Sequence, residues 1–350
     1  MNQPMNNHAQ SMWELKVLAL LAILCVAYIG QFILFPLMLS FFLYLLLRPF
    51  RVFLQKLKFP KFLASILITT VILGIISFGV SFLAAPAAHW IDKAPENMSV
   101  IEKKFSSIKK PLIKLSNALK TAQTITEANP EKKVEVKAEV GNIGYSLFDL
   151  TTNAILLIFL VLAYLFFLLI YADVIFENLQ KIITTRQKKI ATNFLSSIEQ
   201  DLSIYLFTFT MICICLGGVI ALILWLLSVP NAILWGVMAA FLNFIPYIGP
   251  AIGIGVVFFV SLITFDSLLQ IMLPPFLYWI TVNIEGQIIT PILLGNRLNL
   301  NPLIVFFSIV FWAWLWGIGG ALLSIPFLMM IKILMSHIPS LAKYSLLLEK

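Results

Sequence analysis

What this chain has least of is charge. From Leu202 to Ile331 it runs 130 residues with three charged side chains, Asp266, Glu285 and Arg297. A soluble domain is about 25% charged and would carry roughly thirty over that length. A charge at a bilayer centre costs about 2.5–3.5 kcal/mol on insertion scales, so lipid selects against it. The absence excludes a water-facing surface and puts the C-terminal half in a membrane. Cysteine is also scarce: Cys25, Cys213 and Cys215 all lie in apolar runs, which argues against a disulfide framework. On a helix Cys213 and Cys215 would point about 200° apart, a poor metal pair. His8, His89 and His337 are too scattered for HExxH zinc chemistry, and no GxxxxGK[ST] loop is present to cradle ATP. These absences lead us to expect no enzyme, no metal and no cofactor. A transporter built from this chain alone would have to use a gradient.

What is present agrees. The 350 residues are 61% hydrophobic and 11% charged, with a mean hydropathy of +0.98. The net charge of +8 is explained by Lys and Arg collecting in polar connections, so no nucleic-acid partner is expected. The 31-residue uncharged run Val17–Leu47 is too long for a cleavable signal, and reads as uncleaved membrane segment. A single pass needs about 20 residues. Val17–Leu47, with Pro36 near its middle, predicts two tilted helices meeting at a tight break. Phe62–Ala88 and Leu150–Ala172 are ordinary spans. Leu202–Phe265, 64 residues without a charge, must turn back, and Ser228–Asn231 is the natural turn. Ser267–Ile284 gives one more span and Leu298–Ile331 a last, over-long one. The reading is an all-α polytopic protein of about eight segments, some broken or re-entrant. It forms a single domain over 1–350, with N-terminal spans in 17–88, a polar segment at 89–145 and C-terminal spans in 150–335.

Arg48–Lys61 holds five basic residues and no acid, and Asp173–Asp201 carries Lys181, Arg186, Lys188 and Lys189. These connections lie two passes apart, and short basic loops mark the cytoplasm, so both termini are expected inside. The segment 89–145 then lies outside. Its Ile101, Phe105, Ile108, Leu112, Leu115 and Leu119 form a heptad stripe, either an amphipathic helix on the membrane or a subunit contact. Lys133–Val140 reads as a short strand or a charged linker.

Two constellations interrupt the apolar spans. In the first, Asn243, Pro246, Tyr247, Gly249 and Pro250 lead to Gly253 and Gly255. Proline removes a backbone donor, and a break in lipid survives only when buried in protein or lining a wet cavity. Broken helices of this kind build solute sites in transporters, although a plain structural bend reads equally from the letters. In the second, Asn283, Glu285, Gly286, Gln287, Thr290 and Pro291 precede Gly295-Asn296-Arg297. An acid at membrane depth is a functional-site hypothesis, with Arg297 the candidate counter-ion; ordinary loop charges at the headgroup boundary are the alternative. Trp312, Trp314 and Trp316, followed by Gly317, Gly319 and Gly320, read as an interfacial belt or a hinge.

At these residues the chain resembles the autoinducer-2 exporter family, also called PerM-like permeases. The ordered set Val229–Gly236, Asn243–Pro250, Ile284–Gln287 with Thr290-Pro291, Leu300–Pro302, and Trp314–Gly317 with Gly320 and Pro326 follows its pattern. The resemblance implies an eight-segment α-helical fold and homo-oligomers, with a pentamer the expected order. It also implies export of the furanone signal autoinducer-2 or, for some members, sodium or lithium/proton antiport. Cys213 and Ser336 stand where relatives often carry Asn and an acid, which puts a role for either position in doubt here. The expectation is a gradient-driven inner-membrane exporter of a small polar solute, with the lipid bilayer as its surroundings. The rivals are a monovalent cation/proton antiporter and a non-transporting scaffold or regulator.

Overall fold

The computed structural model describes residues 5–93, 143–182, 188–295, 300–337, 345 and 348. The regular elements among them are helical, and there is no strand among the described residues. They are α1 (Met5–Ile29), α2 (Gln31–Lys56), α3 (Lys61–Asp92), α4 (Ile143–Ile182), α5 (Lys188–Leu226), α6 (Ala232–Leu242), α7 (Ile248–Thr264), α8 (Leu268–Ile284), a π-helical turn (Glu285–Ile289), α9 (Thr290–Leu294) and α10 (Pro302–His337). Six helical stretches are long and apolar enough to cross a membrane: Gln31–Lys56, Lys61–Asp92, Asn153–Ile175, Glu199–Leu226, Leu268–Leu294 and Pro302–Ser336. Ala232–Leu242 and Ile248–Thr264 are shorter apolar helices. The protein is an all-α polytopic membrane protein. The heptad stripe of Ile101–Leu119 and the Lys133–Val140 segment lie outside the described residues.

The structure corrects the sequence reading at two breaks. The first break falls at Gly30 (φ −81°, ψ 10°) and not at Pro36, which is buried inside α2. A proline near a helix start removes one hydrogen bond, which a long apolar helix absorbs. The second correction concerns the last run, which is not one over-long span. Trp316 (φ −132°, ψ 20°) and Gly317 (φ 65°, ψ −148°) leave helical geometry, and the chain folds back there. Ser308 Oγ donates to the Ser324 carbonyl at 3.2 Å. Trp312 stacks on Phe327 with ring centroids 3.8 Å apart. Residues 302–315 and 318–337 are therefore the arms of a helical hairpin.

A second hairpin lies upstream. After the turn at Ser228–Asn231, α6 returns antiparallel along α5, with Asn243 facing Cys213 and Gly236 facing Gly217. A Cβ on either glycine would strike the facing backbone carbonyl, so glycine is what lets these helices touch. Helix α7 then doubles back. Its Val257 and Val260 join one buried cluster with Leu216, Ile220 and Leu224 of α5 and Ala232 and Trp235 of α6. Helices α6 and α7 are thus the arms of a re-entrant hairpin with its tip at residues 243–247.

The two hairpins enter from opposite ends. Trp90, at the end of α3, packs edge-on against Trp235 at 5.3 Å, which marks the mouth of the α6–α7 hairpin. The second arm of α10 instead runs beside α2 toward the Arg48–Lys61 end. Phe35 meets Trp316 at 5.9 Å and Phe42 meets Phe327 at 5.0 Å. That end carries the charge pairs: Arg51 with Asp173 (3.0 Å), Lys61 with Asp173 (2.9 Å) and Arg48 with Glu199 (3.1 Å). Tyr44 Oη donates to the same Glu199 carboxylate at 3.0 Å. The two basic connections named from sequence therefore meet at one end of the molecule.

Candidate functional site

Between the hairpins, two irregular pieces of backbone come together. The tip of the α6–α7 hairpin closes through tight turns, with Phe244 N–H donating to the Phe241 carbonyl (3.2 Å) and Ile245 N–H to that of Leu242 (2.9 Å). Tyr247 follows with φ 64° and ψ −54°. Ile248 N–H donates to the Pro246 carbonyl at 2.7 Å across it, the rare and strained form of γ-turn. Pro250 stands in the first turn of α7, where a backbone N–H would have no helical partner anyway. The sequence pattern Pro-Tyr-Ile-Gly-Pro thus ends one helix, reverses the chain and starts another.

The second piece is the π-helical turn, which the sequence reading did not anticipate. Thr290 N–H donates to the Glu285 carbonyl, one residue further back than in an α-helix. Pro291 lacks an N–H and cannot continue the α-helical ladder through this turn. Widening it to π geometry rotates Glu285 inward. The Thr290 hydroxyl donates to the Glu285 carboxylate. Such π-bulges recur at functional sites.

These two pieces line one cavity of about 650 Å³. Asn243, Pro246, Tyr247 and Pro250 contribute from the tip; Asn283, Glu285, Gly286, Gln287, Thr290 and Pro291 contribute from α8 to α9. Gly249 does not line it. It is buried behind the tip, where a Cβ would meet the Leu242 carbonyl. Asn243 and Glu285 are 7% and 6% exposed, so neither is an ordinary loop residue at a headgroup boundary. The Asn243 amide reaches Cys213 Sγ at 3.6 Å and lines the same cavity as Glu285. Asn283 is held to its own helix, its amide donating to the Trp279 carbonyl at 2.8 Å. Glu285 is the one charged group among the described lining residues. Its nearest described partners are neutral, and Arg297, the counter-ion expected from sequence, lies outside the described residues.

Sequence reasoning missed Tyr205. Its ring lines the cavity from α5, and its hydroxyl is buried with no hydrogen-bond partner. A lone tyrosine in an uncharged run gives no signal that separates it from ordinary apolar packing. Cys213, one of the two departures from relatives, lies against Asn243. Ser336, the other departure, is exposed, and its hydroxyl donates to its own helix at Ile333. The tryptophans divide. Trp314 is exposed and stacks with Tyr28, whereas Trp316 donates from Nε1 to the Ala27 carbonyl at 3.1 Å.

The chain is similar to bacterial transport proteins over nearly its whole length. It is 27% identical to a Borreliella burgdorferi protein named as a candidate transporter, covering 98% of this chain and 93% of that one. It is 25% identical to the AI-2 transport protein TqsA of Escherichia coli, covering 90% and 88%. Identity is also 25% to Escherichia coli YhhT, another candidate transporter, covering 95% and 93%. The model of the AI-2E family transporters matches residues 17–340. With a polytopic helical fold, opposed hairpins and a polar cavity between them, the chain belongs to the AI-2E transporter family, a membrane transporter.

Proposed function

We propose that the protein is a gradient-driven exporter of a small polar solute, and that the cavity between the α6–α7 tip and the π-helical turn lies on the solute path. One observation carries this reading: a buried carboxyl, three amides and three hydroxyl groups line an open cavity built from broken helices. Such polar groups are costly in lipid unless protein, water or solute satisfies them. Autoinducer-2, for which the similar TqsA is named, fits the chemistry as a small, hydroxyl-rich, neutral molecule. The inner membrane is the proposed location, with the Arg48–Lys61 and Asp173–Asp201 end in the cytoplasm. Exposed apolar side chains along α3, such as Phe78 and Val80, suit lipid or neighbouring copies in a homo-oligomer.

Flux in proteoliposomes under imposed proton and sodium gradients tests the reading. Glu285→Gln keeps the volume and removes the charge; it should lower flux at least about tenfold, the worth of one hydrogen bond to a charged group. Asn243→Ala and Tyr247→Phe should raise the half-maximal concentration by about two- to tenfold, the range for neutral hydrogen bonds. Wild-type flux in all three, at normal expression, moves the path elsewhere. The burial of Glu285 also favours a second reading, monovalent cation/proton antiport. Cation flux without solute flux, lost in Glu285→Gln, selects it.

A further inference from the structure

The polar cavity does not end at its polar walls. Beside it, between α7 and the first arm of α10, lies an open groove of about 660 Å³. Ile248, Ile252 and Phe306 give it an apolar lining, with Tyr247, Ala251 and Pro302 beside them. Those last three residues also line the polar cavity. The two spaces are therefore contiguous, one holding Glu285 and the amides, the other formed by aliphatic and aromatic side chains. Each lies within the roughly 300–1,000 Å³ range of ligand pockets. Ile252 and Phe306 are about half exposed, at 49% and 54%, so the groove opens outward on an apolar flank of the molecule.

From this continuity we infer that the transported solute is an amphiphile. Its hydroxyl-bearing, uncharged head occupies the Glu285–Asn243 cavity, and its alkyl tail lies in the Ile252–Phe306 groove. The inference rests on the transport reading above and replaces autoinducer-2, which has no alkyl tail, as the substrate class. The head follows from the lining: the acceptors include the Glu285 carboxylate and the Asn243, Asn283 and Gln287 amide oxygens, and no lysine or arginine lines the cavity among the described residues. An anionic head would meet the carboxylate, with no cation among the described lining residues to offset the repulsion. The tail follows from the groove, whose described lining offers no hydrogen-bonding side chain apart from Tyr247.

The test uses the full chain in phosphatidylethanolamine–phosphatidylglycerol vesicles and a dodecyl ether of erythritol carrying a diazirine at the tail end. Irradiation should label Ile252 and Phe306. Excess erythritol and Glu285→Gln should each reduce that labelling by about tenfold, since each removes the head's anchor. Ala251→Trp, which fills the shared wall, should abolish groove labelling. Dodecyl phosphate with the same tail should label the groove no more than the exposed face of α3 at Phe78. Groove labelling that ignores erythritol, Glu285→Gln and Ala251→Trp means bulk lipid alone fills the groove, and overturns the inference. The transport reading stands or falls separately, on whether solute flux depends on Glu285.

Discussion

The two hairpins break a helix in different ways. At the α6–α7 tip, prolines and a strained tyrosine open the backbone beside a polar cavity. At the α10 tip, Gly317 turns the chain at φ 65° and ψ −148°, a conformation essentially restricted to glycine. Its surroundings are aromatic: Trp316 caps the Ala27 carbonyl, and Trp312 and Phe327 stack between the arms. One break thus presents polar groups to a cavity, and the other is flanked by aromatic rings with Gly317 and Ile318 exposed. The lesson is that a broken apolar helix is no evidence of a site by itself. What faces the break decides, and in lipid every freed group must find some partner.

Four substitutions would break or sharpen this contrast. The largest effect is expected from Gly249→Ala, whose new Cβ would strike the backbone carbonyl of Leu242, a group that cannot swing aside. It should destabilise the hairpin tip by about 3 kcal/mol or more, toward the top of the overpacking range. A lowered melting temperature in detergent, together with lost solute flux, would show it. The parallel change at the other tip, Gly319→Ala, meets only the Phe35 ring and should cost about 1 kcal/mol. Equal losses at both positions would remove the distinction.

Next comes Gly317→Ala, which forces a side chain into the glycine-only region and should cost about 1–3 kcal/mol. The loss should appear in thermal stability with the affinity for solute unchanged, because this tip does not line the cavity. An altered half-maximal solute concentration would draw the second hairpin into the transport path. The smallest effect has the opposite sign. Tyr247→Gly relieves the strained γ-turn and should stabilise by about 0.5–1 kcal/mol, while loosening the cavity wall. A drop in melting temperature would mean that the tyrosine ring, 64% exposed, contributes more by packing than its backbone costs.

The sequence by itself determined that the chain lives in a membrane, because charge depletion is a property of composition and needs no coordinates. It also determined where the backbone breaks around Asn243–Pro250 and Asn283–Pro291, because proline and glycine act locally on φ, ψ and the missing N–H. Only the tertiary structure decided that these pieces, some forty residues apart, share one cavity. Only it showed that Pro302–His337 folds on itself, since a glycine amid apolar residues reads alike as a packing contact or a reversal. The π-helical turn that aims Glu285 inward was equally silent, because its hydrogen-bond register depends on neighbours supplying the space. Tyr205 reached the cavity and Cys213 reached Asn243 for the same reason: burial and partnership arise between helices, and periodicity along one helix cannot say which other helix it will meet.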